Sequence, residues 1–437
     1  MIAVYFIFLI LSFFLSLKKP TLFVILFITI STKFFGFINP GHILLSGSEV
    51  GYFLFNIMTF TSAIITLSKI SLSKKELIIL TVLSSFYLYG LFLPLIFQYS
   101  TLFQALVASK SMMFYSLLFY LIAYKNKISI PMIFTFMKYL GVYLTLIEVI
   151  YVLTNLSPPS YLEAKYKVFI YQRVYYSTYI SFSLFLFVLD WLNNKASSLR
   201  TIVTILFLLY GIFLSEYMSV LFSSIVILLI IGLLYSKKLS ININNTILKS
   251  TFFVIIISLF FAFNDNLRKD VEATIMQNIS GKSIELSSRA YYNQFRWDAI
   301  NDEPLFGFGF IHKNAAILNH YKNDKTNKFM ETFVVIDSGY VDILVRFGYL
   351  GLSVLIISMF ILIYTNYIKR EKEDYISVLF FLSLIQYFTV NYTWAVFTYP
   401  QGIIPLSLMV YSLVYSNQIS KEIKENSNLW RIKIIWK

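Results

Sequence analysis

The chain is a procession of long apolar runs separated by short polar breaks. A spanning helix needs roughly 20 apolar residues. Runs that meet or approach this length fall near 2–17, 21–38, 50–70, 77–97, 103–124, 139–156, 174–193, 201–215, 217–235 and 247–263, and again near 349–368, 375–394 and 403–415. The pattern predicts an all-α, polytopic membrane helix bundle of about 12–13 transmembrane helices. The runs at 2–17, 201–215 and 403–415 are short for a span. Residues 264–348 interrupt the series with a mixed, polar stretch far longer than the usual connection of about 4–6 residues. That loop carries Trp297, Phe306, Phe308 and Phe310 and is expected to fold into short helices over the membrane. Its end, 336–347, is semi-polar and is expected to enter the bilayer edge. The implied division is 1–263 as an N-terminal bundle, 264–348 as a large extracytoplasmic loop, 349–418 as C-terminal spans and 419–437 as a tail.

Composition agrees with this pattern. Of 437 residues, 58% are hydrophobic and 13% charged, against about 25% charged in soluble domains. No soluble fold of this length hides so much apolar surface. A soluble enzyme or nucleic-acid reader is thereby excluded for the whole chain. There are no cysteines, and His42, His312 and His320 are too scattered for a metal cluster.

The net charge of +14 is one of placement. Residues 264–347 hold ten basic and eleven acidic side chains, so the excess lies elsewhere. It sits in clusters such as Lys18–Lys19, Lys74–Lys75, Lys125/Lys127, Lys237–Lys238 and Lys369–Arg370, after every second apolar run. The positive-inside rule makes these cytoplasmic, which puts the long loop outside and the C-terminus inside. The reading is a multi-pass membrane protein with the lipid bilayer as its first partner and no nucleic acid.

Against that orientation, Arg173, Arg289, Arg296 and Arg346 are arginines on the outward side near helix ends. A planar guanidinium fork fits phosphate oxygens, so as a set they point to anion binding; solvated loop charge is the alternative for each alone. Asp337 and Asp342 are the carboxylates of the loop's end. They do not share a helix face, so one is a candidate base and the other a surface or capping residue. Asp337 also suits an N-cap. Glu148 and Glu216 fall in or at the ends of apolar helices, where a carboxylate is costly; a solvated turn also suits Glu216. Lys33 and Lys138 are expected to reach the interfaces along their stems. Gly307-Phe308-Gly309 lacks the third glycine and the strand of a nucleotide fingerprint, and is expected to be a turn.

The residues Ser288-Arg289, Trp297-Asp298-Ala299 and Pro304-Leu305-Phe306-Gly307-Phe308-Gly309, followed by Asp337-Ser338-Gly339-Tyr340 and Gly348-Tyr349-Leu350-Gly351, resemble the signature of the bacterial O-antigen polymerase and O-antigen ligase superfamily. Tyr171-Gln172-Arg173 resembles the arginine that closes an earlier periplasmic loop in that family. The motif region covers roughly 65 residues; helix order and the late long loop carry the rest.

The resemblance implies a metal-independent glycosyltransferase without a cofactor. It would join undecaprenyl-diphosphate-linked oligosaccharide units at the outer face of the bacterial cytoplasmic (inner) membrane, in O-antigen (lipopolysaccharide) or capsule biosynthesis. A chain-length regulator and a flippase of the same pathway are the expected partners. Arg289, Arg173 and Asp337 take the catalytic roles, and Arg296, Arg346, Trp297, Tyr340 and Glu216 the substrate-binding ones. Two departures favour a polymerase. Ser215-Glu216-Tyr217 stands where members often carry Ser-Arg, and ligases characteristically carry a histidine at the place of Asp337 or Ser338. The alternatives are a ligase that moves finished polymer to lipid A core, and a lipid-linked oligosaccharide flippase or transporter. A transporter would carry its polar residues at mid-membrane.

Overall fold

The computed structural model describes residues 2–32, 50–154, 176–192, 198–215, 218–235, 296–312 with 315 and 317, 338–368, 375–392 and 395–425. Among these the chain is all helical. In order come α1 (Ile2–Lys18), α2 (Pro20–Ser31), α3 (Val50–Leu67), α4 (Lys74–Ile96), α5 (Leu102–Ser109), a 3-10 turn (Met112–Tyr115), α6 (Ser116–Ala123), α7 (Ile130–Thr154), α8 (Ser177–Leu192), α9 (Ser198–Leu214) and α10 (Met218–Leu234). After the loop come α11 (Gly339–Ile368), α12 (Tyr375–Asn391), α13 (Pro400–Val414) and α14 (Ser416–Glu425). The expected run at 247–263 lies outside the described residues.

Among the described residues three helices are long and apolar enough to cross a membrane, namely Lys74–Ile96, Ile130–Ile150 and Gly339–Ile361; the bent pair Leu102–Ser109 with Met112–Ala123 makes a fourth if taken as one span. Eight more apolar helices among these residues are shorter. The protein is therefore a membrane-embedded helix bundle. The run at 103–124 turns by 61° at a break rather than passing straight through. Uninterrupted hydropathy cannot reveal this bend, because both halves are equally apolar.

Burial sorts the helices into a centre and a rim. In α13 every residue from Gly402 to Leu413 is buried, and in α8 nearly all are. A helix that is hydrophobic all round belongs inside. On the rim, Leu11, Val226, Leu229, Ile357 and Phe360 are exposed, as lipid-facing side chains should be. Lipid offers no hydrophobic drive between helices, so polar pairs help to fix their register. Ser31 and Tyr179 hydroxyls meet at 2.7 Å, Ser181 donates to Gln386 Oε1 at 2.9 Å, and Gln386 Nε2 donates to Ser224 at 2.7 Å.

Two ion pairs lie toward the other end. Glu76 accepts from Lys125 Nζ at 2.8 Å and from the Tyr415 hydroxyl. Lys138 Nζ lies 2.5 Å from Asp190 Oδ2, and Lys138 is buried. This corrects the expectation that Lys138 stretches to an interface: Asp190 on the neighbouring helix supplies a counter-charge, so the ammonium stays inside. Lys33 lies outside the described residues.

Candidate functional site

The site is built on two helix defects that a single loop segment repairs. The first is in α4. Pro94 has no N–H, so the carbonyl of Gly90, four residues earlier, loses its helical donor. The Phe310 N–H donates to that carbonyl at 2.7 Å. Gly90 lets the ring come close: a Cβ there would lie 2.8 Å from Phe310 and 2.9 Å from Phe347.

The second defect is in α11. Gly348 sits at φ 61°, ψ −169°, a conformation that is essentially glycine's alone, and splits the helix in two. The split frees carbonyls on one side and N–H groups on the other. The segment 304–309 takes up both sets. Phe308 and Gly309 N–H donate to the Val345 and Arg346 carbonyls, each at 2.8 Å, while Tyr349 and Leu350 N–H donate to the Pro304 and Leu305 carbonyls at 2.8 and 3.2 Å. Gly307 and Gly309 take left-handed φ values of 68° and 71° to make the path, which is the turn expected there.

Side chains reinforce the stitch. The Tyr89 hydroxyl donates to the Phe306 carbonyl at 2.7 Å and the Tyr99 hydroxyl to Glu303 Oε1 at 2.9 Å. Burial and the neighbouring Glu303 carboxylate push Tyr99 up to about 12, so it stays a donor through neutral pH. Beneath the segment, Ala299, Ile300, Phe308 and Ile311 pack on Val341, Leu344 and Val345 as a small apolar core of their own.

The candidate residues distribute as follows. Arg296 lies in a helical stretch and is buried, whereas the adjacent Trp297 is 42% exposed and free to stack on a ligand. The Tyr340 hydroxyl is occupied as a donor to the Phe388 carbonyl at 2.7 Å, which ties α11 to α12. Arg346 stands two residues before the Gly348 break, and its Nε donates to Asp342 Oδ1 at 2.7 Å. Asp342 is 1% exposed, so it is not a surface residue, because the first half of α11 packs inside the bundle. Glu148 is buried in α7. Asp337, Arg289, Arg173 and Glu216 lie outside the described residues. Arg346 thus stands at the Gly348 break that residues 304–309 fill, and Arg296 and Trp297 lie in the helical stretch whose Ala299 and Ile300 pack on Val341, Leu344 and Val345. Tyr340 serves the contact between α11 and α12, while Tyr89, Tyr99 and Glu303 hold the segment and Asp342 holds Arg346.

A largely apolar cleft of about 520 Å³ opens beside this site. Its walls include Phe86 and Tyr87 of α4, Phe119 of α6, and Ile343 and Phe347 of α11. Lys75, Phe397 and Thr398 line it as well, and Phe347 is the sequence neighbour of Arg346. Among the described residues no group of three histidine, aspartate or glutamate side chains is placed to hold a metal ion.

A family model described as O-Antigen ligase matches residues 202–356. The match contains the whole 296–312 segment and the break at Gly348. No curated protein matches the chain.

Proposed function

We propose that this chain, which belongs to the O-antigen ligase superfamily, transfers a glycan from a lipid diphosphate to a hydroxyl acceptor at the outer face of the membrane. The observation that carries the proposal is the 304–309 segment set into the Gly348 break beside Arg346, on a helix whose Ile343 and Phe347 line an apolar cleft. A cleft of that character suits an isoprenoid tail, and an arginine on the same helix suits the diphosphate.

The chemistry is a single displacement. The acceptor oxygen attacks the anomeric carbon, the bond from that carbon to the diphosphate oxygen breaks, and lipid diphosphate departs. Charge grows on the leaving oxygen, so fixed guanidinium groups aimed there act most strongly in the transition state. Asp337 takes the acceptor proton. Arg289 and Arg173 join Arg296 and Arg346 in holding the diphosphate, while Trp297 offers a face to a sugar ring. Glu216 binds the acceptor side.

The family description supports the ligase form first: finished polymer moved to a lipid acceptor such as lipid A core. The polymerase form, in which the acceptor is the end of another lipid-linked unit, is supported by Asp337 at the place where ligases characteristically carry histidine, and by Glu216 where an arginine is common. A gene deletion separates them. Loss of a ligase leaves bare core with long polymer held on undecaprenyl diphosphate; loss of a polymerase leaves single repeat units on the acceptor. Neither pattern, with lipid-linked units missing from the outer leaflet, overturns both in favour of a flippase. Within either form, Arg289→Lys and Arg173→Lys keep charge but lose the bidentate fork. A lost charge-assisted contact of about 1.5–3 kcal/mol corresponds to transfer slowed roughly ten- to a hundredfold. Lys282→Ala and Lys325→Ala should be near neutral. Equal behaviour of the arginine and lysine variants would refute the arginine assignment.

A further inference from the structure

The face of α11 that carries Arg346 is polar and buried at once. Gly339, Asp342 and Arg346 follow at spacings of three and four and so lie on one side of the helix. Asp342 Oδ1 receives Arg346 Nε at 2.7 Å. Its other oxygen, Oδ2, is buried and has no hydrogen-bond partner among the described residues. Across from Gly339 stands Asn391 of α12, so close that a Cβ on Gly339 would lie 1.9 Å from its Oδ1. Both Asn391 amide atoms are likewise buried without a partner among the described residues. Unsatisfied polar atoms are costly in a protein interior and costlier inside a bilayer. A face that gathers three of them is not made for packing.

Two facts define the part Asp342 plays. With neither oxygen open to the surface, it cannot take a proton from a bound acceptor. And it holds Arg346 by Nε alone, leaving the two Nη groups uncommitted among the described residues; the arginine side chain is 13% exposed against 1% for the aspartate. A guanidinium gripped at Nε has its plane fixed and its Nη groups turned outward, which suits binding of phosphate oxygens.

We propose that Asp342 is a positioning residue that locks Arg346 as a fixed fork for the diphosphate of the lipid donor. The inference rests on the donor class proposed above and goes beyond it by assigning the arginine's holder. A fixed fork has less rotamer freedom to lose on binding, and preorganisation of this kind appears as affinity.

The test uses the purified full chain in detergent and two probes, undecaprenyl diphosphate and undecaprenol, the second lacking the diphosphate. Wild type should bind the first more tightly than the second. Asp342→Asn retains shape and an acceptor but loses charge; it should bind undecaprenyl diphosphate about tenfold more weakly and leave undecaprenol binding unchanged. Asp342→Glu, which keeps the charge and reaches Nε, should recover most of the loss. Arg346→Lys should also bind about tenfold more weakly, and Asp342→Asn placed on top of it should add nothing, because there is no fork left to hold. Additive losses in the double variant overturn the proposal, as does wild-type affinity in Asp342→Asn. If Asp342→Asn does not fold, Asp342→Glu with wild-type folding but no affinity for the diphosphate overturns it equally. Wild type that fails to distinguish the two probes overturns the donor class itself, and the positioning role with it.

Discussion

Gly348→Ala isolates the docking of the loop segment from every charged group. The substitution acts twice. It puts a side chain at φ 61°, ψ −169°, which costs about 1–3 kcal/mol for a non-glycine residue. It also sets a Cβ 2.3 Å from the Leu305 carbonyl oxygen and 2.4 Å from its carbon. That neighbour is backbone held by its own bonds and cannot swing aside like a side-chain tip. The segment must lift, and the Tyr349 and Leu350 donations to Pro304 and Leu305 go with it, at about 0.5–1.5 kcal/mol each. Together the shift in the docked–undocked balance is about 2–6 kcal/mol. The expected result is glycan transfer reduced at least tenfold at normal membrane abundance, with faster proteolysis near 304–309. Gly232→Ala is the control: no atom lies within 4 Å of a Cβ there, and alanine favours the helix. Gly348→Ala with wild-type transfer and wild-type protection would refute the reasoning, because it would mean that the stitch does not hold the site.

Three further outcomes follow from the same geometry. Pro94→Ala returns an N–H to α4 that competes with Phe310 for the Gly90 carbonyl, so transfer should fall although the helix itself gains stability; unchanged protease protection of the loop would count against it. Lys138→Ala leaves the part-buried Asp190 carboxylate without its ammonium and should lower stability by about 1.5–3 kcal/mol, whereas Lys138→Met with Asp190→Leu should be milder, as read by melting in detergent. Tyr99 is raised from 10.0 to about 12 in the folded protein, so its contact with Glu303 contributes fully below pH 10 and is lost as pH rises through about 12. Loop proteolysis should therefore quicken over that window in wild type and show no such step in Tyr99→Phe.

Much of the bundle was legible because apolar length is a local property. The runs at 174–193 and 375–394 contain the helices Ser177–Leu192 and Tyr375–Asn391, and the Gly307–Gly309 pair read correctly as a turn. What stayed hidden depends on partners distant in sequence. Gly90 and Pro94 looked like ordinary members of a span until Phe310 supplied the missing donor. Lys138 meets its counter-charge Asp190 only across two helices. Asp342 and Arg346 are the exception, because their i, i+4 spacing is legible in the sequence and marks the pair.

The Gly90–Pro94 notch also sets a timetable. Tyr89 and Phe306 are 217 residues apart, so at about 5–20 residues per second the ribosome needs roughly 10–40 s to deliver the segment that fills the notch. Throughout that interval α4 stands in the bilayer with an unanswered carbonyl. An insertion intermediate halted before residue 310 is therefore chemically marked as unfinished, and membrane quality control has a polar flag by which to tell an incomplete chain from a complete one.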